Sequence, residues 1–187
     1  MLGQMQDWPL LVSKFLTHAE INHPKREIFS MLPEGGEFSY DNERMAARAR
    51  QCAQAMIRHG IQHGDRVGTL AWNTHRHVET WYGVSGMGAV THTINPRLFP
   101  EQLIYIINHA EDRVLFLDIT FVPLIEKIAD ALTTVEKYVV MVGAEHMPNT
   151  TLPNAVSYEE MIAAESGDYT WPTFDENSAC SLCYTSA

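Results

Sequence analysis

The 187-residue sequence predicts an α/β fold, a parallel sheet with helices on both faces. Two observations carry this. Strand-like segments begin at residues 65, 89, 113 and 137, one about every 24 residues, with helix-patterned stretches between them. That is the period of a βα unit, and not of a sequence repeat, since the units share no residue pattern. In addition, Val114–Leu117 and Val139–Val142 are continuous apolar runs, as strands covered on both faces require.

The elements follow in order. Within 10–22, Leu11, Phe15, Leu16 and Ala19 share one helical face. "REIFSML" (26–32) and "GEFSY" (36–40), split by Pro33 and Gly35-Gly36, read as a small hairpin. In the next helix Met45, Ala49, Cys52, Ala53, Met56 and Ile57 recur at spacings of three and four. Ser39 or Asp41 is placed to cap it and Gly60 to end it. Strands at 65–73, 89–94, 113–118 and 137–142 then alternate with helices at 75–86, 100–110 and 121–132, Pro100 sitting in a first turn. A polar loop with two prolines (143–157), a short helix around "YEEMIAA" and a loop with Pro172 precede a return to the sheet at 179–184. This divides the chain into a helix and hairpin (1–40), βα units (41–142), a loop-rich excursion (143–178) and a final strand (179–187).

Composition narrows the function. With 45% apolar and 19% charged residues the chain can bury a core. Its net charge of -10 makes it a poor general binder of nucleic acid or anionic membrane. A phosphate ligand remains open, because loops and helix starts bind phosphate through backbone N–H groups. The first twenty residues lack a basic n-region and long apolar run, and no stretch reaches the ~18 apolar residues of a membrane helix. Three cysteines do not make a disulfide framework, so a soluble cytoplasmic protein is expected.

Several constellations compete for a chemical role. Cys180 and Cys183 have C-x-x-C spacing, but a redox pair sits at a helix start, and these flanks favour a strand; small core residues are expected. His59/His63 straddle Gly60 at a helix end, His75/His77 lack a Cys or paired carboxylate at ligand spacing, and both pairs read as solvated or capping residues. Gly83, Gly86 and Gly88 are out of order for a dinucleotide fingerprint and read as close helix–strand packing. Asn95-Pro96-Arg97 ends a strand, where Arg97 either reaches a ligand crevice or ties down its loop. The chain ends on "YTSA", where Thr185 and Ser186 follow a strand as hydroxyl-rich phosphate cradles do.

"YTSA", preceded by "DENSACSLC", resembles the start of the phosphate loop of the adenylate-forming enzymes: acyl-CoA synthetases, luciferases and peptide-synthetase adenylation domains. Their loop runs Tyr-Thr-Ser-Gly-Thr-Thr-Gly-x-Pro-Lys-Gly, some members having Ala at the fourth place, as Ala187 is here. Residues 64–118, above all "HTINPRL" (92–98) and "YIINHAED" (105–112), look like the medium- and long-chain fatty acyl-CoA synthetase branch. The likeness covers nearly the whole chain but reaches only four residues into the loop. It implies the first subdomain of that family's N-terminal domain, with no counterpart here of the acyl and adenine pockets, the hinge or the C-terminal domain.

The resemblance further implies a fatty acid–CoA ligase using ATP, Mg²⁺ and CoA, a homodimer built through the N-terminal region, and no activity from these residues alone. Site roles pass only to Thr185 and Ser186, at the ATP phosphates, with the Thr185 hydroxyl a hard oxygen ligand for Mg²⁺; no catalytic residue falls within the chain. The competing expectation is a free-standing α/β module acting in dimerisation or regulation.

Overall fold

The computed structural model describes residues 3–185. Helix α1 (Val12–Asn22) leads into an antiparallel hairpin, β1 (Glu27–Met31) with β2 (Glu37–Asp41), which forms its own two-stranded sheet. Helix α2 (Asn42–Arg58) follows at once. Asp41 caps it, its carboxylate accepting the Arg44 N–H at 3.0 Å, while Ser39 lies inside β2. Gly60, at φ 78°, takes the left-handed backbone that ends the helix.

The main sheet is built by β3 (Arg66–Leu70), β4 (Val90–Thr93), β5 (Asp112–Leu117), β6 (Lys137–Val140), β7 (Val156–Ser157) and β8 (Ser181–Leu182). Their spatial order is β7-β6-β5-β3-β4-β8, and every pairing is parallel. The four expected central strands and the expected return of the chain, β8, are joined by a short strand, β7, at the other edge. β7 falls in the segment expected to be loop, since two residues leave no pattern to read. β8 is shorter than the expected 179–184, and among the described residues it pairs with β4 alone.

The connecting helices are α3 (His75–Gly86), α4 (Pro100–Ala110), α5 (Val122–Glu126) and α6 (Tyr158–Ala163). The helix expected over 121–132 is broken: α5 is flanked by 3₁₀ turns at Ile119–Phe121 and Ala129–Ala131. The Asn108 side chain on α4 explains the second break. It donates to the Ala131 carbonyl at 2.8 Å and accepts the Thr133 N–H at 3.0 Å, pinning that end into a tight turn.

The apolar runs divide as a doubly covered sheet demands. Val114, Phe116, Val139 and Met141 face α2, α3 and α6, packing on Cys52, Met56, Val84 and Ile162. Leu115, Leu117 and Val140 face α4 and α5, against Leu103, Ile107 and Ile125. Each such side chain contributes roughly 1.5–3 kcal/mol by burial. Gly83 serves helix–helix contact, not the helix–strand contact expected: a Cβ there would meet the Ala49 carbonyl and Cys52 Cβ of α2, each at 2.9 Å. Because β4 lies on one side of β3 and β5 on the other, the strand order reverses at β3, and the carboxyl edge there is where open α/β sheets form a crevice.

Candidate functional site

The carboxyl edge of the sheet carries the chain into Thr185. β8 is set by two neighbours: the Cys180 carbonyl accepts the Thr91 N–H at 3.1 Å and the Ser85 hydroxyl at 2.7 Å. Beyond β8, Cys183 Sγ lies 2.8 Å from Thr93 Oγ1, and the Tyr184 hydroxyl lies 2.6 Å from His109 Nδ1 on α4. Thr185 then emerges exposed at that edge. Ser186 lies outside the described residues. No group of three or more His, Cys, Asp or Glu able to hold a metal occurs among the described residues.

Beneath Tyr184 lies a buried polar pair. His92 Nδ1 and Asp112 Oδ2 are 2.7 Å apart, both side chains 0% exposed, and the Tyr184 ring packs on the imidazole at a tilt of 51°, with centroids 5.2 Å apart. Gly68 of β3 makes room for it, since a Cβ there would meet Asp112 Oδ2 and Leu115 Cδ1 at 2.9 Å each. Burial raises the Asp112 carboxyl above its ordinary value despite the His92 hydrogen bond and charge. His92 Nε2 and Asp112 Oδ1 have no partner among the described residues.

A cleft of about 380 Å³ opens between the hairpin and the start of α3, lined by Ser30, Thr74, His75, His77 and Trp81 and reaching Thr93. Behind it runs an ion network. Arg76 donates to Glu34 at 2.6 Å, to Glu159 at 2.8 Å and to the Met141 carbonyl at 2.8 Å. Burial opposes ionisation of Glu159, but the neighbouring His75 and hydrogen bonds from Arg48 and Arg76 hold its carboxyl well below the usual carboxylate range. At the end of β5, Asp118 accepts the Trp72 N–H, and burial pushes its carboxyl up to about 6. These groups brace the sheet edge on its β3–β5 side, away from β8.

The chain matches the AMP-binding enzyme family over residues 16–187. It belongs to that family. Among relatives, it is 50% identical to the 3-methylmercaptopropionyl-CoA ligase of Ruegeria lacuscaerulensis, covering 100% of this chain and 34% of that ligase. It is 43% identical to the medium-chain-fatty-acid–CoA ligase of Ectopseudomonas oleovorans, with the same coverage on both sides. The crystal structure of the anthranilate CoA ligase AuaEII in complex with anthranoyl-AMP shares the fold, with a TM-score of 0.83 at 22% identity over 100% of this chain and 34% of that one. The chain thus spans about a third of the length of the relatives it matches.

In this AMP-binding family member the expected site residues fare unevenly. Thr185 stands at the carboxyl edge, as a strand-to-loop residue must. The C-x-x-C cysteines are not core residues: Cys180 is partly exposed and Cys183 exposed, because β8 is an edge strand, and both are free thiols. His75 and His77 are not solvated caps. His75 is 1% exposed and stacks on Phe38 at 4.2 Å, and His77 lies 3.1 Å from the Thr69 hydroxyl. The Asn95–Arg97 turn is tied by Asn95, whose Oδ1 accepts the Arg97 N–H at 3.0 Å, and the Arg97 guanidinium makes no ion pair among the described residues. Sequence reasoning missed His92, Asp112 and His109. A lone histidine in an apolar strand, level with a mid-strand glycine, was the available signal.

Proposed function

We propose that this chain is the N-terminal third of an acid–CoA ligase, supplying the platform from which the phosphate loop departs. The observation that carries this is Thr185, exposed at the carboxyl edge of a parallel sheet, behind a strand held by Ser85, Thr91 and His109. In such a ligase a carboxylate oxygen attacks the α-phosphorus of ATP and pyrophosphate leaves. The CoA thiol then attacks the acyl carbon, forming the thioester and releasing AMP. Mg²⁺, when bound, offsets charge on the phosphates. The chain's own part is positioning: the Thr185 hydroxyl, with Ser186 after it, meets the phosphates, while the braced sheet edge keeps that hydroxyl in place.

For the acid we favour a medium- or long-chain fatty acid, supported by the name of the Ectopseudomonas relative. The 50% identity to a ligase named for 3-methylmercaptopropionate supports that short thioether acid as a second reading. Three free cysteines support a reducing, cytoplasmic setting. Exposed Trp8, Leu10, Phe15, Ile21 and Phe29 support a homodimer through the N-terminal region. The test is thioester formation by the ligase containing this chain, with ATP, Mg²⁺, CoA and acids from three to sixteen carbons alongside 3-methylmercaptopropionate. Preference for six carbons or more supports the fatty acid reading, and preference for the thioether acid supports the second. No thioester with any acid would refute the ligase.

A further inference from the structure

"HTINPRL" and "YIINHAED" are separate in sequence, yet His92 from the first meets His109 and Asp112 from the second around one residue, Tyr184. The contacts form a single cluster. Asp112 holds His92 at 2.7 Å, the His92 ring meets the Tyr184 ring at a tilt of 51°, and His109 meets the Tyr184 hydroxyl at 2.6 Å. Tyr105 backs His109 with rings 5.2 Å apart and an interplanar angle of 22°. The pair is built in at a cost. Two ionisable groups are fully buried, each with one polar atom unpartnered among the described residues, and a glycine is needed in the middle of β3 to admit them. An apolar pair would fill the same space without that penalty, so packing alone does not account for it.

We propose that His92, Asp112 and His109 are positioning residues for the start of the phosphate loop, fixing the Tyr184 ring and thereby the point at which Thr185 leaves the sheet. β8 pairs with β4 over only two residues, too few to hold a loop by themselves, and Tyr184 is the sole residue between that strand's last neighbour, Cys183, and Thr185. The polar cluster supplies direction as well as area. The His92–Asp112 bond sets the imidazole plane against which the ring packs, and His109 fixes the phenol's far end. Removing either lets the ring turn, and Thr185 moves with it. This rests on the proposed ligase reading for what Thr185 does.

The test uses His109→Ala, His109→Asn and Tyr184→Phe, all near the surface, so that folding survives, together with His92→Gln for the buried partner. Hydrogen exchange of a peptide spanning 179–185 in this chain reports the segment directly. His109→Ala and Tyr184→Phe are expected to speed it by about two- to tenfold, the worth of one hydrogen bond, with the denaturant midpoint of the chain unchanged. His109→Asn, which keeps a polar atom at the Nδ1 position, is expected to restore most of the protection. In the ligase containing the chain, the same two variants are expected to raise the KM for ATP several-fold while the KM for the acid stays within twofold. Unchanged exchange in both variants would overturn the proposal, as would faster exchange with an unchanged KM for ATP. A wild-type ligase that forms no acyl-adenylate would instead bring down the proposed function, and this inference with it.

Discussion

Glu79 offers the sharpest test of how the interior is held. Its side chain is 0% exposed, yet both oxygens are used: Oε1 accepts from Arg48 Nε and Oε2 from the Tyr158 hydroxyl, each at 2.8 Å. Glu79→Ala removes both acceptors at once. It leaves the Tyr158 hydroxyl without its partner and Arg48 with Glu159 alone. Breaking a buried ion pair by deleting one member costs about 3–5 kcal/mol. Because Glu159 still faces Arg48, we expect the lower end, about 3 kcal/mol, which in a chain of this size lowers Tm by roughly 6–12 °C. Replacing the group together, Arg48→Met with Glu79→Leu and Tyr158→Phe, leaves no orphaned charge and is expected to cost less than the single substitution. Urea unfolding followed by far-ultraviolet circular dichroism gives both numbers. A Glu79→Ala cost below about 1 kcal/mol, or a triple variant less stable than the single one, would refute the reasoning.

Other perturbations follow from the same contacts. Gly68→Ala should cost about 1–3 kcal/mol by overpacking against Asp112 and Leu115; a neutral result in the same unfolding assay would mean the pair has room to spare. Asp118, raised to about 6 mainly by burial and secondarily by Glu34, against the Trp72 N–H and Arg76, binds a proton in the native state that the unfolded chain releases. Its contribution to stability is therefore present at low pH and falls as pH rises from about 4 to 6. Asp118→Asn should flatten that fall by on the order of 2–3 kcal/mol, and parallel stability–pH curves would contradict it. The Cys52 thiol is pushed up to about 12, first by burial and then by the Glu79 charge, whereas Cys183 is exposed. A disulfide reagent should modify Cys183 first and Cys52 only as the chain unfolds, and early modification of Cys52 would contradict the packing of α2 on the sheet.

What the sequence disclosed depended on whether a feature is local. Val114–Leu117 announces a two-sided strand whatever its neighbours are, and Asp41 and Gly60 mark the ends of α2 by their own side-chain and backbone chemistry. β7 and β8 were illegible in extent, since two-residue strands exist only through β6 and β4. His75 reads as a solvated residue until the hairpin folds Phe38 over it. The His92–Asp112 pair was hidden for the same reason: its members are brought together only because β4 and β5 both flank β3, level with Gly68. Thr185 was legible as a candidate site residue through the "YTSA" resemblance, but the polar cluster behind Tyr184 was not.

The central claim, that this chain carries the start of a ligase's phosphate loop and works only with the rest of the enzyme, is met most directly by acid-dependent exchange of labelled pyrophosphate into ATP. The assay compares the 187-residue chain with a ligase that continues beyond Ala187, across a fatty acid series with Mg²⁺ present. Adenylation depends on positioning and on charge stabilisation at phosphorus, where losing one donor can cost about 10²–10³ in rate. The longer protein is expected to exchange only when an acid is supplied, less so with Thr185→Ala, and the short chain to stay at the no-protein blank. Exchange by the short chain above that blank, or none by the longer protein with any acid, would contradict the claim.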